Sequence, residues 1–84
     1  EIILVNSVNI GFVDTPQWAN IRDRRAPDRT MAEFQTGLAK AEVPLGRFGT
    51  VDEVSGLVAF LAGARAGYIT GAVIDVAGGM GKYV

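Results

Sequence analysis

Five of the seven residues from Ile2 to Val8 are apolar, and Ile2-Ile3-Leu4-Val5 is an unbroken, largely β-branched run. A strand with one wet face alternates apolar and polar residues, whereas a strand buried on both faces reads as a continuous apolar run. This run is of the second kind, and Gly11 ends it and opens a loop. Only one other segment, Ala72 to Val76, reads as a strand, and Gly78-Gly79 stops it. Two strands joined through helices are most simply parallel, with a right-handed crossover. Such a sheet has two open edges, and one crossover covers mainly one face. The pattern therefore predicts an α/β fold that is the end of a larger doubly wound parallel sheet. That the chain opens with Glu1, not methionine, and runs directly into the strand supports the expectation of a trimmed piece.

Three helices are expected between the strands. In Asp14-Thr15-Pro16, Thr15 is placed to cap a short helix through Trp18 and Ile21, with Pro16 at its first position. A polar stretch from Arg22 to Arg29 follows. Thr30-Met31-Ala32-Glu33 has capping-box spacing and starts a helix expected to run to about Glu42, before Pro44. Thr50-Val51-Asp52-Glu53 repeats the box, and Val54, Leu57, Val58 and Leu61 then recur at helical spacing, with Phe60 widening the stripe. Gly56 inside that helix costs about 1 kcal/mol relative to alanine, which a close packing contact would explain. Gly63 and Gly67 bracket the helix end.

Composition then removes whole classes of chemistry. There is no cysteine and no histidine, so disulfides, thiolate nucleophiles, imidazole bases and nearly all zinc sites are absent. The lack of cysteine fits a reducing compartment, and a cytoplasmic location is expected. A net charge of −1 favours neither nucleic acid nor an anionic membrane. No apolar run approaches the ~20 residues that span a bilayer. The sequence Gly78-Gly79-Met80-Gly81 follows a strand, but only three residues remain after it. No helix can complete a phosphate site there, so it is read as a strand stop.

Three segments carry a resemblance. Val5-Asn6-Ser7-Val8-Asn9-Ile10-Gly11-Phe12-Val13-Asp14-Thr15 resembles the V-N-x-V-x-P-G-x-x-x-T segment after the sixth strand of short-chain dehydrogenases/reductases. Pro44-Leu45-Gly46-Arg47-Phe48-Gly49-Thr50-Val51-Asp52-Glu53-Val54 is similar to that family's P-L-G-R-x-G-x-x-x-E-V, which leads into its last long helix. Tyr68 to Gly79 is similar to its closing Y-x-T-G-x-x-x-x-V-D-G-G. The order and spacing also match, and within the family the nearest resemblance is to 3-oxoacyl-acyl-carrier-protein reductases and related sugar and alcohol dehydrogenases. Ile10 stands where the family usually has proline, and Ala77 where it often has aspartate.

The resemblance implies a Rossmann-like fold of which residues 1–84 are the C-terminal part. Residues 1–16 would form a strand and cofactor loop, 17–44 a substrate lid, and 45–84 the last helix, last strand and tail. It implies that Gly11, Val13 and Thr15 face an NAD or NADP cofactor. Gly11 would let a flat ring approach the backbone, Val13 would offer main-chain groups to a carboxamide, and Thr15 at a helix start would suit a pyrophosphate oxygen. The plainer alternative is that Gly11 turns the chain and Thr15 caps a helix. Trp18, Ile21, Met31 and Phe34 fall in the lid, or else form a helix–helix core. Asn6 is assigned to holding backbone. Arg22, Arg24, Arg25 and Arg29, interspersed with Asp23 and Asp28, read as a solvated connector.

No catalytic residue and no metal ligand is assigned. The family's Tyr-x-x-x-Lys lies upstream of this segment; Tyr68 is followed at +4 by Ala72, and Tyr83 is the penultimate residue. The segment also has no G-x-x-x-G-x-G turn, no ribose selector and no catalytic serine. The expected parent is an oxidoreductase exchanging a carbonyl and an alcohol by hydride transfer. It would act on a small molecule as a homo-oligomer (tetramer or dimer), with no nucleic acid and no membrane. Residues 1–84 by themselves would need the missing N-terminal part of the same fold. The competing expectation is a non-catalytic assembly segment of a related protein.

Overall fold

A computed structural model of the chain describes residues 2–81. In chain order they form strand β1 (Ser7–Ile10), helices α1 (Gln17–Arg25), α2 (Met31–Glu42) and α3 (Val51–Ala62), and strand β2 (Val73–Val76). A short 3-10 helix at Ala64–Ala66 follows α3. Tyr83 and the end of the expected tail lie outside the described residues. The capping boxes predicted at Thr30 and Thr50 are both present, each hydroxyl accepting from the backbone N–H three residues on. The second helix ends where Pro44 forces extended backbone, with Val43 at φ −112° and ψ 115°. No helix of the described residues is long and apolar enough to cross a membrane.

β1 and β2 are parallel neighbours in register Ser7 with Val73 through Ile10 with Val76. Asn6 closes the start of the ladder: its Nδ2 donates to Ile69 O (3.3 Å) and its Oδ1 accepts from Ala72 N–H (3.0 Å). The strand expected over 2–8 is therefore displaced to 7–10. Residues 2–4 have no strand to pair with among the described residues, because the chain opposite Val5 is the Thr70-Gly71 turn, with Gly71 N–H on Val5 O at 2.7 Å. At the other end the ladder continues past Val8 because Ile74 to Val76 remain available. Ser7 and Gly11 donate toward β2, so by alternation Val8 and Ile10 present their backbone groups to the opposite, unpaired edge.

The packed part of the molecule is not the sheet. Trp18 and Phe34 are each 7% exposed, and Val13, Ala39 and Val43 are buried with them. The Trp18 ring meets Phe12 (5.2 Å, 79°) and Phe48 (4.9 Å, 72°) edge-on, and lies 6.3 Å from Phe34. Against this core stands a large uncovered apolar surface. Ile2 is 89% exposed and Ile3 79%, and Val73, Val51, Val58 and Phe60 are all exposed. Helix α3 buries none of its residues, and nothing lies within 4 Å of a Cβ built on Gly56, so the expected packing partner there is missing. The accessible surface is 6238 Å², against about 4,800 Å² for a compact monomer of this mass. The radius of gyration is 15.7 Å, against about 12 Å for a compact domain of this length. The fold is α/β and parallel, and its sheet is exposed on one face and half-covered on the other.

Gly78 and Gly79 do more than stop β2. Both have positive φ (60° and 89°), and a Cβ on Gly78 would lie 2.7 Å from Val43 Cγ1. Gly78 O also accepts from Leu45 N–H at 3.1 Å. This turn anchors the end of the sheet to the segment joining α2 and α3.

Candidate functional site

The loop at 11–16 connects the carboxyl end of β1 to α1, the place where ligands bind in open α/β sheets. Gly11 N–H donates to Val76 O at 3.0 Å. A Cβ on Gly11 would lie 2.7 Å from Ala77 Cβ and 2.9 Å from Ala77 Cα. The expectation that glycine here admits a ring is thus corrected on that side: the space is occupied by the protein's own strand end. The small Ala77 and the absent side chain of Gly11 are complementary.

Val13 forms an isolated parallel bridge with Gly49. Gly49 N–H donates to Phe12 O and Asp14 N–H donates to Gly49 O, both at 2.9 Å. Val13's own N–H and C=O consequently point away from Gly49. Its carbonyl accepts the indole N–H of Trp18 at 2.9 Å, a buried bond. Among the described residues nothing accepts from the Val13 N–H.

Thr15 does not cap α1. Pro16 stands in the cap position with helical φ −57° and ψ −25°, and no side chain caps the helix. Thr15 O instead accepts Trp18 N–H at 3.2 Å, while Thr15 Oγ1 is buried with no hydrogen-bond partner. The first turn spends the Trp18 and Ala19 amides on Thr15 O and Pro16 O, so they do not serve as a free amide nest. An orphaned buried hydroxyl is costly unless a ligand or water completes it. Gly11, Val13 and Thr15 line one cleft of about 540 Å³ together with Gln17, Val54 and Ser55. The expected cofactor residues come together.

The lid residues divide. Trp18 and Phe34 are core between α1 and α2, as the helix–helix alternative has it, and Ile21 and Met31 are half-buried around them. The arginine stretch is partly helical, since α1 runs through Arg25. Within it Arg22 pairs with Asp23 at 2.6 Å and donates to Arg29 O at 3.2 Å, and unlike the solvated connector expected here it is half-buried, with Nε buried and unpartnered. Phe12 and Phe48 were missed as packing residues because their contact joins segments 36 positions apart and leaves no local period. Among the described residues no group of three or more acidic residues is arranged to hold a metal ion.

A bidentate ion pair lies outside the cleft. Arg47 Nη1 and Nη2 donate to Glu53 Oε1 (2.8 Å) and Oε2 (2.9 Å), and Oε1 also accepts the Thr50 N–H at 2.9 Å. The Arg47 bonds, then the Thr50 backbone, pull the Glu53 carboxyl down from 4.5 to about 2. A carboxyl whose pKa falls on folding stabilises the fold above its unfolded pKa. That contribution is lost as pH falls from 4.5 toward about 2. The expected result for Glu53→Gln in the full-length protein is a flatter Tm–pH curve across that window, by differential scanning calorimetry. An unchanged slope would show that the pair does not persist in solution.

Comparison with known proteins places these features. A family model described as Enoyl-(Acyl carrier protein) reductase matches residues 1–81. The 3-oxoacyl-[acyl-carrier-protein] reductase FabG of Aquifex aeolicus is 41% identical over 78 residues, covering 93% of this chain and 27% of that protein. The (3R)-3-hydroxyacyl-CoA dehydrogenase of Mus musculus is 38% identical over 78 residues, covering 93% of this chain and 26% of that protein. Among solved structures, L-sorbose reductase from Gluconobacter frateurii, complexed with NADPH and L-sorbose, matches with TM-score 0.87 at 30% identity. That match covers 98% of this chain and 32% of the other. The chain spans between about a quarter and a third of the length of the proteins it resembles.

Proposed function

Since this chain belongs to the short-chain dehydrogenase/reductase family, we propose that it is the C-terminal part of an NAD(P)-dependent oxidoreductase interconverting a carbonyl and an alcohol. The observation that carries the reading is the cleft at the end of β1, where Thr15 Oγ1 is buried without a partner and the Val13 N–H is unpaired. Both suit a ligand rich in oxygen acceptors, and the sorbose reductase of matching fold is complexed with NADPH. NAD(P)H supplies the hydride when bound. The residues of this chain bind and orient: Val13 N–H donates to a carboxamide oxygen, and Thr15 Oγ1 donates to a phosphate or ribose oxygen. Trp18 and Phe34 pack the lid helices α1 and α2 against each other, and this apolar lid excludes water from the site. Groups that move protons belong to the remainder of the fold, which in this proposal also covers the exposed face of the sheet. The parent acts on a small molecule, as a cytoplasmic homo-oligomer.

The test is Thr15→Val in the full-length protein, which keeps the shape and removes the donor. NAD(P)H affinity by fluorescence titration is expected to weaken about fivefold, the ordinary worth of one hydrogen bond. Affinity within twofold of wild type would remove Thr15 from the site.

A further inference from the structure

We propose that Trp18 is a positioning residue that fixes the cofactor-binding peptide through its indole N–H; the inference rests on the cofactor reading above. Four backbone groups belong to the two peptides flanking the Val13 Cα. Three are clamped: Phe12 O accepts Gly49 N–H, Asp14 N–H donates to Gly49 O, and Val13 O accepts Trp18 Nε1. The fourth, the Val13 N–H, is unpaired, and Val13 lines the cleft. Gly49 holds the loop from one side and Trp18 from the other, so together they set the direction of that remaining donor. Trp18 is itself locked to the same loop, because its backbone N–H donates to Thr15 O at 3.2 Å. Its ring packs edge-on against the stacked pair Phe12 and Phe48, and the residue is only 7% exposed. Lid helix and cofactor loop are thus one mechanical unit, and a phenylalanine at position 18 would keep an aromatic ring there without making the bond.

The experiment compares Trp18→Phe with Phe48→Leu in the full-length protein. Phe48→Leu thins the same aromatic cluster but leaves every clamp in place. NADH and NADPH dissociation constants are read from cofactor fluorescence well below either variant's Tm, and KM is measured separately for cofactor and substrate. Trp18→Phe is expected to raise the cofactor dissociation constant and KM about fivefold or more. Substrate KM should stay within twofold, as should all constants of Phe48→Leu. Two results overturn the proposal: an unchanged cofactor constant in Trp18→Phe, or an equal loss in both variants, which would assign the effect to packing. Failure of the wild-type protein to bind either nucleotide would instead overturn the cofactor reading, and this inference with it.

Discussion

Residues 1–84 expressed alone are expected to show no cooperative thermal transition and to oxidise NADH or NADPH with simple ketones no faster than background. The physical reason is the distribution of burial. The buried apolar residues gather around Trp18 and Phe34, while Ile2, Ile3, Val5, Val58 and Phe60 remain in water. Ordering a chain costs on the order of 1–2 kcal/mol per residue in backbone entropy, and apolar burial is the main term that offsets it. No residue of α3 is fully buried, and Val54, Leu57 and Leu61 are only half-buried, so that offset is much reduced over a whole layer. One face of the two-stranded sheet is exposed, and on the other Val8, Ile74 and Val76 are only half-buried. A sigmoidal melt, with β1 amides protected from hydrogen exchange, would sink this expectation. So would measurable turnover.

The second large effect concerns the turn after β2. In the full-length protein, Gly78→Ala is expected to lower stability by about 3 kcal/mol, combining left-handed backbone strain with overpacking. In a protein of a few hundred residues that corresponds to a fall in Tm of roughly 10 °C. The two costs arise together at one position: φ is 60°, and the new methyl would stand 2.7 Å from Val43 Cγ1. A Tm within a degree or two of wild type would show that the Val43 segment does not rest on this turn.

How much of this was legible beforehand depends on the range of each interaction. The capping boxes at Thr30 and Thr50 were readable because a hydroxyl and an amide three residues apart satisfy each other locally. The helix stop before Pro44 was readable for the same reason. The parallel pairing of the strands followed from the apolar run and the crossover, and the cleft residues followed from the motif that Gly11, Val13 and Thr15 share with the family. What failed was decided at a distance. The strand moved to Ser7–Ile10 because the partner chain begins at Val73. Gly11 is small on account of Ala77, 66 positions away. Thr15 is the local exception, since the adjacent Pro16 takes the cap position itself. The bond from Trp18 to Val13 has no sequence signature, since an indole donor five residues from a carbonyl is ordinary in any loop.

The pairing of Ser7 with Val73 also sets a schedule for synthesis. The two strands are separated by 66 positions, and at about 5–20 residues per second β1 leaves the ribosome roughly 3–13 s before β2 exists to meet it. Throughout that interval its β2-facing edge stays unpaired, beside the unbroken apolar run Ile2-Ile3-Leu4-Val5. A β1 already lodged against an earlier-made strand would pass the wait in safety. Translation speed between codons 11 and 72 therefore becomes a determinant of yield, and slow codons there extend the hazard.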